Sequence, residues 1–478
     1  MTMDYELCER RELSMSQSGD PSKLKPNGIG KHPKSATRKS GLQTSFVCLI
    51  ICALLLTFLL GSYTDTFHPL VDKVAVSLGY KQLQYAVVID AGSTGSRVIA
   101  YEFHLGYMDG RLVLDRELFV QVKPGLSFYH DKPAEGAKTI QGLLGKAKDF
   151  IPQEFWATTP LVLKATAGLR LLLPVEAENL LNEVRDVFLR SGFLVKDDSV
   201  EILDGLDEGI YSWFTINFLL GRLGSKNTVA ALDLGGGSTQ VTFAPKDVHK
   251  TPLLSEYMHT VNVPNAKIDV FTTSYLNLGL QAVRHAVFTH NSTNGGKDLE
   301  SICVNPIIQS NPFKYGTKVY KLSGQSNSKS TKENPIVDFE ACVELVKQKA
   351  MHLVNPKPIT LNQNQIAAFS YFFERAIETG LVDPFEGGEI TVGDFISKSK
   401  EICATANTDQ PFMCLDLTYI SVLLKDGYGL DSKTKVKVSE SKFILVLLNH
   451  LLEKQNQMKC ILIIINFFSL FFNSYTSK

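Results

Sequence analysis

The stretch "VVIDAGSTGSRVIAYEF" (87–103) returns in degenerate form as "AALDLGGGSTQVTFAP" (230–245). Each copy runs as an apolar strand, an Asp, a turn of Gly, Ser and Thr, and a second strand. Asp90 and Asp233 lie 143 positions apart, a domain's length. A hairpin repeated at that spacing predicts two similar lobes that offer the same turn to a shared cleft. Around the hairpins, apolar strands at 85–90, 97–104, 112–121, 160–165, 199–203 and 228–233 alternate with helical stretches at 134–150 and near 174–192. The pattern is that of an α/β protein with mainly parallel sheets covered by helices.

A turn of this composition exposes consecutive backbone N–H groups and hydroxyls, which cradle phosphate oxygens, and glycine lets the backbone come close. Ser93, Thr94, Gly95 and Ser96 form the first turn, and Gly235, Gly236, Gly237 and Ser238 the second. Asp90 and Asp233, just before the turns, are placed to hold a divalent cation, directly or through water. A single such hairpin is as readily a plain turn; two facing across a cleft point to phosphate.

Between the hairpins, "EILDGLDEGIYSWFTINFLLG" (201–221) puts Asp207, Glu208 and Gly209 where a strand gives way to a helix. A carboxylate in a first helical turn is stabilised as an anion, and serves as general base if it faces the cleft. Helix capping explains the same residues without function, and Trp213 and Phe214 read as anchors into the core. "LVLKATAGLRLL" (161–172) again ends a strand in small residues. Thr166 and Gly168 there can meet a phosphate or metal-bound water, or form a plain β–α loop. Lys164 and Arg170 are either solvated or attract an anion, and spacing does not choose.

Residues 1–44 are polar and read as a disordered cytosolic tail. Residues 45–61, "SFVCLIICALLLTFLLG", form an uncharged apolar run close to membrane-spanning length. Lysines and arginines precede this run and Asp65 follows it, which orients it as a signal anchor with the remainder in a lumen or outside; a cleaved signal peptide is the rival. Cysteine usage fits that compartment. Cys303, Cys342, Cys403 and Cys414 allow two bridges, local pairing being the simplest of three connectivities, whereas Cys48 and Cys52 lie in the apolar run. Asn291-Ser292-Thr293 is a glycosylation sequon. With 49 basic and 49 acidic residues there is no basic field for nucleic acid, and no zinc-site spacing occurs.

The four stretches, in this order, resemble the apyrase conserved regions of the ecto-nucleoside triphosphate diphosphohydrolase family: "DAGSTGSR", "KATAGLR", "DGLDEGIYSWFTINFLLG" and "LDLGGGSTQ". The GSTG turn, the single N-terminal anchor and the four later cysteines look most like its secretory-pathway nucleoside-diphosphatase branch, which prefers UDP, GDP and IDP. The resemblance implies an α/β fold of two actin-like (ribonuclease H-like) lobes with mixed sheets and a Ca²⁺- or Mg²⁺-nucleotide between them. It implies Glu208 as the base that activates water, and Asp90 and Asp233 ordering the metal's water shell. Ser93, Thr94, Thr166, Gly235, Gly236, Gly237, Ser238 and Gln240 would line the phosphates. Tyr371 or Phe372, in "FSYFFERA" (369–376), would stack on the base, although an aromatic run is more often core. The implied reaction is direct water attack on the terminal phosphoryl group of a nucleoside diphosphate, in an ER or Golgi lumen. No protein partner is deducible.

The domain reading is a stalk at 62–83, a first lobe at 84–226 and a second at 227–436. The family would continue to a fifth motif and a last helix. Instead 437–478 is an atypical apolar tail, either a second membrane element or a variant end of the chain. Two other readings remain: an actin-superfold ATPase or kinase, and a binding-only module whose altered end prevents turnover.

Overall fold

The computed structural model describes residues 49–57, 61, 68–107, 112–223, 225, 227–246, 252–263, 266–292 and 296–439. Contacts divide the chain between Thr64 and Asp65, and both large sheets belong to the second unit. Residues 49–57 are helical and exposed; the rest of the expected anchor, apart from Gly61, lies outside the described residues, as do 1–44 and the tail from 440. Among the described residues no helix is long and apolar enough to cross a membrane.

The first sheet is five-stranded, in the order β3-β2-β1-β4-β5. β1 (Leu83–Ala91), β2 (Ser96–Leu105) and β3 (Leu112–Val122) form an antiparallel meander, and β4 (Leu161–Ala165) and β5 (Val200–Ile202) run parallel to β1. Val87, Ile89, Leu161 and Leu163 pack against Ile140, Leu143, Leu180, Val184 and Phe188 of the covering helices. The stretch expected as a stalk is folded from His68: α1 (His68–Ser77) is fastened to this sheet through Asp72. Asp72 Oδ2 lies 2.7 Å from His104 Nε2, whose Nδ1 is 2.9 Å from Asp115 Oδ1. Burial opposes the charge on His104, but the two carboxylates outweigh it and raise its pKa.

Helices α2 (Pro133–Phe150), α3 (Ala167–Arg170), α4 (Pro174–Leu189) and α5 (Gly205–Leu219) follow in chain order. α5 packs on the other sheet. Trp213, Phe214, Ile216 and Phe218 join Val229, Ala231, Val261, Val270, Ala367 and Phe369. The expected boundary at 226 would leave this helix with the first lobe, whereas its apolar residues pack on the seven-stranded sheet.

The second sheet has seven strands, in the order β14-β15-β13-β6-β7-β9-β8. β6 (Val229–Leu234), β7 (Ser238–Phe243), β8 (Met258–Val263) and β9 (Ala266–Leu276) pair antiparallel. After α6 (Leu280–Phe288), a separate three-stranded sheet forms from β10 (Asp298–Ser301), β11 (Asn311–Tyr315) and β12 (Lys318–Gly324). α7 (Phe339–Ala350), β13 (Gln365–Ser370), α8 (Tyr371–Glu378), β14 (Gly388–Thr391), α9 (Val392–Cys403), α10 (Met413–Val422) and β15 (Lys435–Val438) complete the lobe. β13 runs parallel to both β6 and β15. β15 crosses the expected tail boundary at 436/437. Cys303–Cys342 and Cys403–Cys414 are disulfide-bonded.

The sheets are mixed rather than mainly parallel. A hairpin forces its two strands antiparallel, and each lobe is built outward from one.

Candidate functional site

Each hairpin holds its Asp opposite a second polar residue: Asp90 pairs in register with Arg97, and Asp233 with Gln240. The two turns touch across the cleft. A Cβ on Gly236 would stand 2.4 Å from Ser93 Oγ and 2.8 Å from Thr94 Cγ2, so a larger residue there would have to displace those two side-chain ends. The second turn rests on the start of α6, whose Leu280 and Gln281 N–H groups donate to the carbonyls of Gly235 (2.9 Å) and Gly236 (3.0 Å). Ser93, Thr94, Gly168, Gly236 and Gly237 line a cavity of about 620 Å³.

Glu208 sits in the first turn of α5, which Asp204 caps by accepting from the Leu206 N–H at 2.8 Å. One of its oxygens is clamped. Arg170 Nη2 donates to Oε2 at 2.5 Å and Gln240 Nε2 donates to the same oxygen at 2.9 Å. Ser238 Oγ and Ser274 Oγ lie 2.7 and 2.9 Å from that amide nitrogen. Oε1 has no protein partner among the described residues. Burial raises the Glu208 pKa to about 7, against the pull of Arg170 and with added repulsion from Asp233 and Asp90. A carboxyl with that pKa is poised for proton transfer near neutrality.

Asp90 accepts from Arg97 Nη1 at 2.8 Å and keeps 38% of its side chain exposed. Desolvation of the carboxylate by the surrounding protein nevertheless raises its pKa, more than Arg97 lowers it. Burial raises Asp233 as well; the hydroxyls of Ser370 and Ser212 oppose this, while Asp90 adds to it. Ser370 holds φ 56°, a left-handed conformation costly for a non-glycine residue, at the point where β13 delivers its hydroxyl to Asp233.

Other expected residues are placed differently. Ser96 is fully buried at the start of β2, its Oγ unpartnered, so it does not open to a ligand. Phe372 is wholly buried in the second-lobe core and cannot stack on a base. Tyr371 is half-buried, and its hydroxyl accepts from Gln281 Nε2 at 3.2 Å; Gln281 in turn lines the cavity. Thr166 is the N-cap of α3, its N–H donating to Ala91 O at 3.3 Å. Lys164 turns from the cleft, buried against Glu201. Asn291 is exposed just beyond α6. Arg170, left undecided between two roles, and Ser212, Ser274 and Ser370, which carried no signal in the sequence, complete the constellation.

Comparison with known proteins places this geometry. A family model for GDA1/CD39 (nucleoside phosphatase) matches residues 78–446. The chain belongs to the GDA1/CD39 family. Ectonucleoside triphosphate diphosphohydrolase 5 of Bos taurus is 42% identical over 372 residues, covering 74% of this chain and 83% of the relative. The human protein named nucleoside diphosphate phosphatase ENTPD5 is 40% identical over 368 residues, with the same coverage. Human ectonucleoside triphosphate diphosphohydrolase 6 is 37% identical over 391 residues and 78% of each chain. Among solved structures, a Neospora caninum nucleoside triphosphate hydrolase matches 79% of this chain and 92% of its own, with TM-score 0.50 and 14% identity. This last likeness concerns the fold alone. As a GDA1/CD39 member the chain is a nucleoside phosphohydrolase, and the GDA1/CD39 match extends over both hairpins and Glu208.

Proposed function

We propose that this enzyme hydrolyses nucleoside diphosphates to the monophosphate and phosphate by direct attack of a water that Glu208 deprotonates. The observation that carries the reading is the clamped carboxylate: Arg170 and Gln240 hold Oε2, Oε1 has no protein partner among the described residues, and burial raises the carboxyl's pKa to about 7. The choice of diphosphate rests on relatives such as the human nucleoside diphosphate phosphatase. The water oxygen bonds to the terminal phosphorus, its proton passes to Oε1, and the bond to the bridging oxygen breaks. That oxygen leaves on the monophosphate. Ser93, Thr94 and the Gly235–Gly237 turn supply the donors that position the phosphoryl oxygens.

The residues fit a divalent cation, Ca²⁺ or Mg²⁺. Asp90, Asp233 and Glu208 all carry raised pKa values, and Asp90 raises both of the others. Burial is the main cause of each shift, and the repulsion that Asp90 adds to Glu208 and Asp233 is what a cation would relieve. Asp90 and Asp233 would hold it through water. When bound, the ion neutralises charge on the phosphate oxygens. The two disulfides and exposed Asn291 support a secretory-pathway lumen as the place of action, with the apolar run at 45–61 as its anchor.

The test is phosphate release from UDP, GDP, IDP and the triphosphates with either cation, comparing the full chain with Glu208→Gln. Release should fall at least about 10³-fold in the variant while nucleotide still binds. Equal rates would remove Glu208 from the chemistry.

A further inference from the structure

The cavity beyond the turns is far larger than one phosphoryl group needs, and two lysines line it, one from each lobe. Lys123 follows β3 and lies against the first turn, where a Cβ on Gly95 would stand 3.4 Å from Lys123 Cγ. Lys314 belongs to β11, at the tip of the β11–β12 hairpin. That hairpin is held to α6 by His285, whose ring stacks on Tyr315 with centroids 4.1 Å apart and whose Nε2 lies 3.2 Å from Tyr320 Oη. The first turn of the same helix carries the Gly235–Gly237 turn. A lysine from each lobe thus lines the cavity that both turns open into.

Among the described residues neither lysine is paired with a carboxylate. Two like charges lining one cavity repel until an anion lies between them. Chemistry says which anion. Ser93, Thr94, Gly236 and Gly237 of the two turns line this same cavity, so a nucleotide whose terminal phosphoryl group lies between the turns extends the rest of its phosphate chain into it. We propose that Lys123 and Lys314 form a two-lobe subsite for the phosphoryl group that stays with the nucleoside. The subsite rests on the diphosphatase reading above and extends it. An anion bridging the lysines ties the first lobe to the second, and a product monophosphate, no longer joined to a group between the turns, retains only this hold.

The full chain and its Lys123→Ala, Lys314→Ala, Lys314→Arg and Lys433→Ala variants test this, Lys433 being an exposed lysine outside the cavity. With UDP, each alanine variant in the cavity should raise KM about tenfold, the loss of one charged hydrogen bond, with kcat changed less than about twofold. Lys314→Arg should recover most of it. Calorimetry with inorganic pyrophosphate and with phosphate, in Mg²⁺, gives a readout independent of turnover: the wild-type preference for pyrophosphate should vanish in the double alanine variant. Unchanged KM and retained pyrophosphate preference overturn the subsite. An equal KM shift in Lys433→Ala overturns it too, by showing only a general field. If the wild type binds pyrophosphate preferentially yet turns over no nucleotide, the diphosphatase reading fails and the subsite stands.

Discussion

Arg170 reaches Glu208 because Gly205 has no side chain: a Cβ there would stand 2.1 Å from Arg170 Nη1. The arginine thus passes under the first turn of α5 to the oxygen that Gln240 also holds. Its charge lowers the Glu208 pKa, while burial and the two aspartates raise it to about 7. A base must be ionised to accept a proton, so activity should rise as pH passes upward through about 7. In Arg170→Gln the lowering influence is gone, and the acid limb of the kcat/KM profile should move to higher pH, with Arg170→Lys intermediate. A limb that stays in place would deny the ion pair this role. In the sequence, Lys164 and Arg170 were indistinguishable, six residues apart on one strand–turn unit. What separates them is where β4 ends: Lys164 lies within the strand and turns to Glu201, whereas Arg170 closes α3 beside the cleft. That difference is one of orientation, which charge and spacing do not encode.

At the scale of elements, the hairpins were the most legible feature, because their composition and their chemistry are the same thing. Their mutual contact was not legible, since nothing local announces that Gly236 meets Ser93. Gly236→Ala should displace the Ser93 hydroxyl and the Thr94 methyl from their places between the turns and lower phosphate release about tenfold, with about 1 kcal/mol of stability lost to overpacking. Gly142, inside α2, is its control. A Cβ there meets nothing within 4 Å, so Gly142→Ala should leave activity alone and add about 0.5–1 kcal/mol by helix propensity. Kinetics and thermal melts on both variants decide the matter. Full activity in Gly236→Ala would mean the turns need not touch. The aromatic run 369–376 shows the opposite limit. Helix α8 turns Phe372 into the core and leaves Tyr371 half out, a phase set by the strand before it.

Across the whole molecule, the repeat spacing points to two lobes but does not say with which of them α5 packs. The helix lies between the hairpins in sequence, yet its apolar side matches the seven-stranded sheet, so the base reaches the site from the second lobe's side. The small sheet that carries Lys314 had no sequence signal beyond short alternating runs, and the cysteines around it say more. Cys303–Cys342 closes a separation of 39 residues and Cys403–Cys414 one of 11. Loop-closure entropy grows with length. Replacing the first pair by serine should therefore cost more stability than replacing the second, by a few tenths of a kcal/mol up to about 1 kcal/mol. Denaturant melts of the two double variants under oxidising conditions measure the order, and a reversed order would show that packing around the 403–414 bridge outweighs chain entropy.

The contact between Gly236 and Ser93 also bears on how such a chain can drift. Two loops from distant parts of the sequence meet through the hydroxyl of Ser93 and the methyl of Thr94. A methyl gained at Gly236 is therefore best accommodated by a smaller or rotated side chain at 93, so the two positions should be mutually permissive: Ser93→Gly should relieve part of any defect in Gly236→Ala.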